Sequence, residues 1–239
     1  MTDGSHSRVV PAVLALVVWW GSALIGGSPA WAAASHVVDS PRAWLLALHV
    51  GQTPAALSPL PLVQGCFTPD HCQTRVGALS VDQRDGALRW DGGPRFKART
   101  TRPARDLPVP DWTPLDAFAV SSHGKPWGVC MTLAHEGVGR SGSFQRWTSV
   151  VLVPLAAKAR PVAHRWVGYW ATCEALVQGA SATQVRLPVL EAPSAAGQTW
   201  PLRWQVCEGR ACVTQEDHRR VVPQPGAEDG ALLILPARH

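Results

Sequence analysis

The chain has 239 residues, a formal net charge of +5 at pH 7, 46% hydrophobic residues and only 16% charged ones. So apolar and weakly charged a chain is not intrinsically disordered, and 21 Gly with 21 Pro argue against long helices, which both residues break. What remains is a loop-rich β protein long enough to bury a real core.

Residues 1–32 read as a secretory signal peptide. A short polar start ending at Arg8 precedes an uncharged apolar run, and Ala30-Trp31-Ala32 fits the small-x-small pattern of signal peptidase. The run is long enough to be marginal for a membrane span, but the small residues at its exit favour removal, leaving no span in the mature chain. The first cysteine is Cys66, far from that exit, which disfavours a lipid-anchored protein. Removing 1–32 takes away Arg8 and Asp3 and leaves the charge unchanged. Residues 33–239 read as a single β-rich exported domain.

In chain order, AWLLALHVG (43–51) is a short helix or a buried strand; periodicity does not decide. From Val76 the runs VGALSV, ALRW and RFKART are strands separated by Asp85-Gly86 and Asp91-Gly92-Gly93, because Asp-Gly favours the positive φ of tight hairpin turns. RPARDLPVPDWTP (102–114) carries four prolines, which excludes a central strand and predicts a surface connection. FAVSS (118–122), WGVCMTLA (127–134) and SFQRWTSVVLVPL (143–155) follow as strands, the last a central one. Residues 164–173 alternate like a strand covered on both faces, with a helical turn after it. TQVRLPVL (183–190), PLRWQVC (201–207), ACVTQ (211–215) and ALLILP (231–236) complete about ten. Short strands with Gly/Pro turns predict a mostly β, antiparallel sandwich or barrel-like domain.

All six cysteines lie in the mature chain, and an even count behind a signal peptide reads as disulfides in an oxidising compartment. CFTPDHC has a turn-forming run between its cysteines, and CEGRAC has Gly209 in a short gap, as in a stapled hairpin. These spacings predict Cys66–Cys72 and Cys207–Cys212, and elimination leaves Cys130–Cys173. Zinc wants tight C-x-x-C pairs, which are absent; with two Met and no H-x-H, no metal is expected. Trp is abundant against four Phe and one Tyr, so the tryptophans are expected to fill the core. Trp112, beside prolines, is the best candidate for exposure and ligand contact.

Gly137, Gly139 and Gly142 spell G-x-G-x-x-G, but a dinucleotide fingerprint must open a helix and be followed by an acid about twenty residues on. SFQRWTSVVLV follows instead, so a hairpin loop is expected and no cofactor. His135 and Glu136, with Ser141, His123, Asp116 and His164, allow a triad to be sketched, yet G-x-S-x-G and H-E-x-x-H are both missing. Arg95, Lys97 and Arg99 recur at period two and so share one strand face; with Arg102 they form a candidate surface for a polyanion, although an edge strand protected by charge explains them too. No nucleic-acid motif accompanies them. By subtraction the sequence predicts an exported binding or interaction module, more a binder than an enzyme, whose partner is a protein or an envelope glycan. The alternatives are an envelope hydrolase built around His135 and Glu136, and a structural component of an exported assembly.

Overall fold

The computed structural model describes residues 35–68, 71–100, 110–135, 146–157, 160–191, 199–224 and 231–236. The signal-peptide reading of 1–32, the glycines of 137–142, Ser141, Glu136 and Arg102 lie outside the described residues.

The ambiguity at 43–51 is resolved by a cap. The Ser40 hydroxyl accepts the Ala43 N–H at 3.3 Å, and Pro41 opens helix α1 (Pro41–His49), where its missing donor costs nothing. The helix buries Trp44, Ala47 and Leu48.

The rest is β. The strands are β1 (His36–Val38), β2 (Ala56–Pro59), β3 (Leu62–Thr68), β4 (His71–Val76), β5 (Leu79–Asp82), β6 (Ala87–Trp90), β7 (Arg95–Thr100), β8 (Pro110–Ser122), β9 (Lys125–His135), β10 (Trp147–Pro154), β11 (Ala163–Tyr169), β12 (Val177–Gln178), β13 (Gln184–Leu190), β14 (Leu202–Glu208), β15 (Ala211–Glu216), β16 (Arg220–Pro223) and β17 (Leu232–Leu235). Ten of them form one curled half-barrel sheet, in the order β2-β8-β9-β10-β11-β7-β6-β5-β4-β3. β12-β13-β14-β15 and β1-β17-β16 make two smaller sheets. The fold is the mostly β, barrel-like and disulfide-stapled one expected, with one departure from antiparallel pairing: β11 lies parallel to β7, His164 opposite Arg99.

Period-two alternation sends the central strands into two cores. Cys130 of β9 and Val150 and Leu152 of β10 face a core shared with α1 and the small sheets, and Trp127 joins it from beyond a register shift in the β8–β9 pair. Val129, Met131 and Leu133, with Val151 and Val153, face a second core closed by Val76, Leu79, Val81, Leu88 and Trp90 of β4–β6. A strand buried on both faces reads as a continuous apolar run, which is why 143–155 looked central. Six of the nine tryptophans in these residues are buried (Trp44, Trp90, Trp127, Trp166, Trp170 and Trp204). Trp112, Trp147 and Trp200 are half-buried.

All six cysteines pair, and as the spacing predicts. Cys66 faces Cys72 across β3–β4, and Cys207 faces Cys212 across β14–β15. Cys130 of β9 reaches Cys173, the first residue of a 3-10 turn Cys173–Ala175. β11 ends at Tyr169, earlier than the sequence pattern suggests. Trp170, at φ +52, turns the chain out of the sheet towards that 3-10 turn. Three disulfides suit an oxidising compartment, and among the described residues no helix is long and apolar enough to cross a membrane.

Proline content misleads at 110–114. These residues are not a connection but the first part of β8, paired irregularly with β9. β2 covers β8 only from Phe118 to Ser121. Among the described residues no strand pairs with the earlier part of β8 on its other side, an edge position of the kind that tolerates proline.

Candidate functional site

Among the described residues of the sketched triad, the β8–β9 hairpin holds His123, Asp116 and His135 apart. His123 (φ +49) and Gly124 (φ +73) are the two residues of its turn, where both central φ angles must be positive. The exposed His123 ring donates its Nε2–H to the Gly179 carbonyl at 3.0 Å. His135 is the last residue of β9, about 40 Å along an extended chain from His123. Asp116 pairs with Thr132 in mid-hairpin.

The Asp116 carboxyl is raised above the ordinary range, chiefly because it is half-buried, with the negative charge of Glu174 adding to the effect and hydrogen bonds from Thr132 opposing it. His164, on β11, donates Nε2–H to the Arg210 carbonyl at 3.1 Å and stacks on Trp166. Burial lowers its pKa, Arg99 across the parallel pair lowers it further, and the Arg210 hydrogen bond works the other way. His123 and His164 thus each hold a backbone carbonyl, at separate places in the fold. Among the described residues no cluster of His, Cys, Asp and Glu is arranged to hold a metal ion.

Trp112 does not present an open platform. Its ring lies against the Gly86 turn, leaving no room for a Cβ on Gly86. The Arg165 guanidinium stacks over it at 5.3 Å. It is half-buried and packs against the second core.

The cationic run does find company. Arg95, Lys97 and Arg99 are the exposed residues of β7, alternating with half-buried Phe96, Ala98 and Thr100. Register then brings residues from three further strands onto the same face: Arg75 lies opposite Ser80, Ser80 opposite Arg89, and Arg89 opposite Arg95. Strands lie about 4.8 Å apart, so three arginines and a serine form one row across β4–β7. With Arg84 at the β5–β6 turn, six cations (Arg75, Arg84, Arg89, Arg95, Lys97, Arg99) meet three carboxylates (Asp82, Asp85, Asp91) in 71–100.

The carboxylates tie up part of that charge. The Arg95 Nη2 is 2.9 Å from Asp82 Oδ2 and 3.2 Å from Asp85 Oδ1; Lys97 Nζ is 3.1 Å from Asp85 Oδ2; Arg75 Nη2 is 2.7 Å from Asp91 Oδ2. The Asp85 carboxyl is held low by the Ala87 N–H first; desolvation works against it, and Lys97 and Arg95 add lesser lowering effects. Exposed pairs of this kind contribute about 0–1 kcal/mol each. Asp82 differs: its side chain is 9% exposed against 59% for Arg95, so it anchors the guanidinium from below. Arg84, Arg89 and Arg99 make no ion pair among the described residues. Two adjoining depressions lie here, one of about 150 Å³ lined by Gln73, Ser80, Asp82, Ala87, Arg89 and Arg95, the other by Asp82, Arg84, Asp85 and Arg95.

Sequence reasoning found the β7 half of this face because period two is visible along one strand. It missed Arg75, Ser80 and Arg89, which join only through cross-strand register. The Asp-Gly hairpins at 85–86 and 91–92 were the available signal, since tight turns constrain that register.

Fold and site together define a disulfide-stapled, mostly β protein with a cation-rich sheet face. Comparison with known protein families, with characterised proteins and with solved structures returns no match.

Proposed function

We propose that this is an exported binding module, working in the periplasm or outside the cell, that engages an acidic envelope glycan through the outer face of β4–β7. One observation carries the reading: six cations against three carboxylates in β4–β7 and their turns, with three arginines in a single cross-strand row. Such a surface concentrates a polyanion by long-range attraction and reads its charge spacing by contact. The period-two spacing along β7, about 6.6 Å between like-facing residues, offers successive contacts to an extended chain.

The test is retention of the mature protein on heparin and on immobilised lipopolysaccharide. The Arg95→Ala/Lys97→Ala/Arg99→Ala variant elutes at distinctly lower salt, because salt screens exposed charges beyond a Debye length of about 8–10 Å. Unchanged elution on both columns sinks the reading.

A further inference from the structure

We infer that Arg89 and Arg95, with Ser80 and Gln73, form a subsite on this face for a single oxyanion carried on a sugar: a uronate carboxylate or a sugar phosphate. The inference rests on the glycan reading above and adds to it the place and the chemistry of one specific contact.

Arg89 and Arg95 are direct cross-strand partners. Like charges directly opposite each other destabilise a strand pair, and other strand-forming residues would remove that cost. The two guanidiniums are not equivalent. Arg95 is anchored by the buried Asp82 carboxylate at 2.9 Å, whereas Arg89 is exposed and makes no ion pair among the described residues. One fork is therefore positioned in advance and the other is available to close on a ligand. Between them lies the depression of about 150 Å³. Ala87 is among its lining residues, and so short a side chain leaves the space open. Guanidinium forks match carboxylate and phosphate oxygens two at a time.

The neighbours argue for an anion attached to a sugar rather than for a bare ion. Asp82 would repel an anion if its charge were idle, but both of its oxygens are engaged: Oδ2 accepts from Arg95 and Oδ1 accepts the Arg84 N–H at 3.1 Å. The Ser80 hydroxyl donates to the Arg89 carbonyl at 3.2 Å, which leaves its oxygen as an acceptor for a sugar hydroxyl. Donors for an oxyanion beside an acceptor for a hydroxyl describe an acidic sugar.

The experiment titrates the mature protein with glucuronate and with glucose 1-phosphate, following the arginine Nε–Hε resonances by NMR. Saturable shifts confined to Arg89 and Arg95 are expected with at least one of them, and which one responds identifies the oxyanion. Arg89→Lys keeps the charge and loses the fork, so affinity falls by about tenfold. Lys125→Ala removes an exposed charge on the β8–β9 hairpin, outside this face, and changes affinity by less than about twofold. Either of two results overturns the subsite: equal shifts at Arg75, Arg84 and Arg99, or an Arg89→Lys variant that binds like the wild type. No response to either sugar at about 10 mM, an affinity weaker than any useful subsite, overturns it too. Failure of the polymer reading looks different: the protein passes through heparin and lipopolysaccharide columns while Arg89 and Arg95 still bind the monosaccharide.

Discussion

Replacing the two cysteines of the Cys130–Cys173 bridge by alanine is the most informative test of the fold. The bridge spans a sequence separation of 43, a loop that contains β10 and β11. In the chain-entropy account, closing such a loop restricts the unfolded chain by about 4 kcal/mol. Both cysteines are fully buried in the first core, so each truncation adds a small packing loss of about 1 kcal/mol. The other bridges have separations of 6 and 5, worth about 2 kcal/mol each in the same account. Even that is an upper figure, because Cys66/Cys72 and Cys207/Cys212 already face each other across paired strands.

Urea unfolding followed by tryptophan fluorescence should therefore place Cys130→Ala/Cys173→Ala about 6 kcal/mol below the wild type, and each hairpin double variant at most about 2 kcal/mol below it. The slope with urea should rise most for the first, since its unfolded state expands most. Equal losses for all three, or a loss under about 2 kcal/mol for the long bridge, would refute the reasoning.

Two further outcomes follow from particular contacts. Gly86 has φ +67 and Trp112 against its α-carbon, whereas Gly92 has φ +70 and open space; Gly86→Ala should cost about 3 kcal/mol and change the near-ultraviolet dichroism, Gly92→Ala only about 1 kcal/mol. Asp217 is half-buried, which works to raise its carboxyl, but hydrogen bonds and charge from Arg219, with the Trp204 indole, hold it below the ordinary value. A depressed folded pKa stabilises above the unfolded value of about 3.9 and is lost as pH falls through the folded one. Thermal melting should thus show a drop in stability on acidification below about pH 4 that Asp217→Asn lacks, that variant being about 2 kcal/mol less stable at pH 7.

Much of the β content was legible because it is written locally. Asp85-Gly86 and Asp91-Gly92-Gly93 mark turns, and the glycines at 86 and 92 do take positive φ. The apolar run 147–154 carries both cores, so its position inside the sheet could be read from its lack of alternation. The short cysteine gaps could be paired because a hairpin is the simplest structure that joins them. Less was legible where context overrode a residue's local preference. Prolines at 110 and 114 suggested a connection, and β8 uses them where, among the described residues, no strand pairs with it on its other side. Strands β3 and β4 were missed because they form the outermost hairpin of the large sheet, and the seven residues of β3 are almost wholly exposed, without the apolar alternation that marks a half-buried strand. Trp112 looked exposed among its prolines and instead covers Gly86.

The sequence by itself determined the composition class, the turns, the cysteine pairs and the cationic side of β7, because each depends on residues close together in the chain or on simple counting. Only the tertiary structure decided the parallel pairing of β11 with β7, the separation of His123, Asp116 and His135 along one hairpin, and the row Arg75–Ser80–Arg89–Arg95. Those depend on which strand lies beside which and in what register. Register is set by the packing of two cores and not by any single stretch of chain.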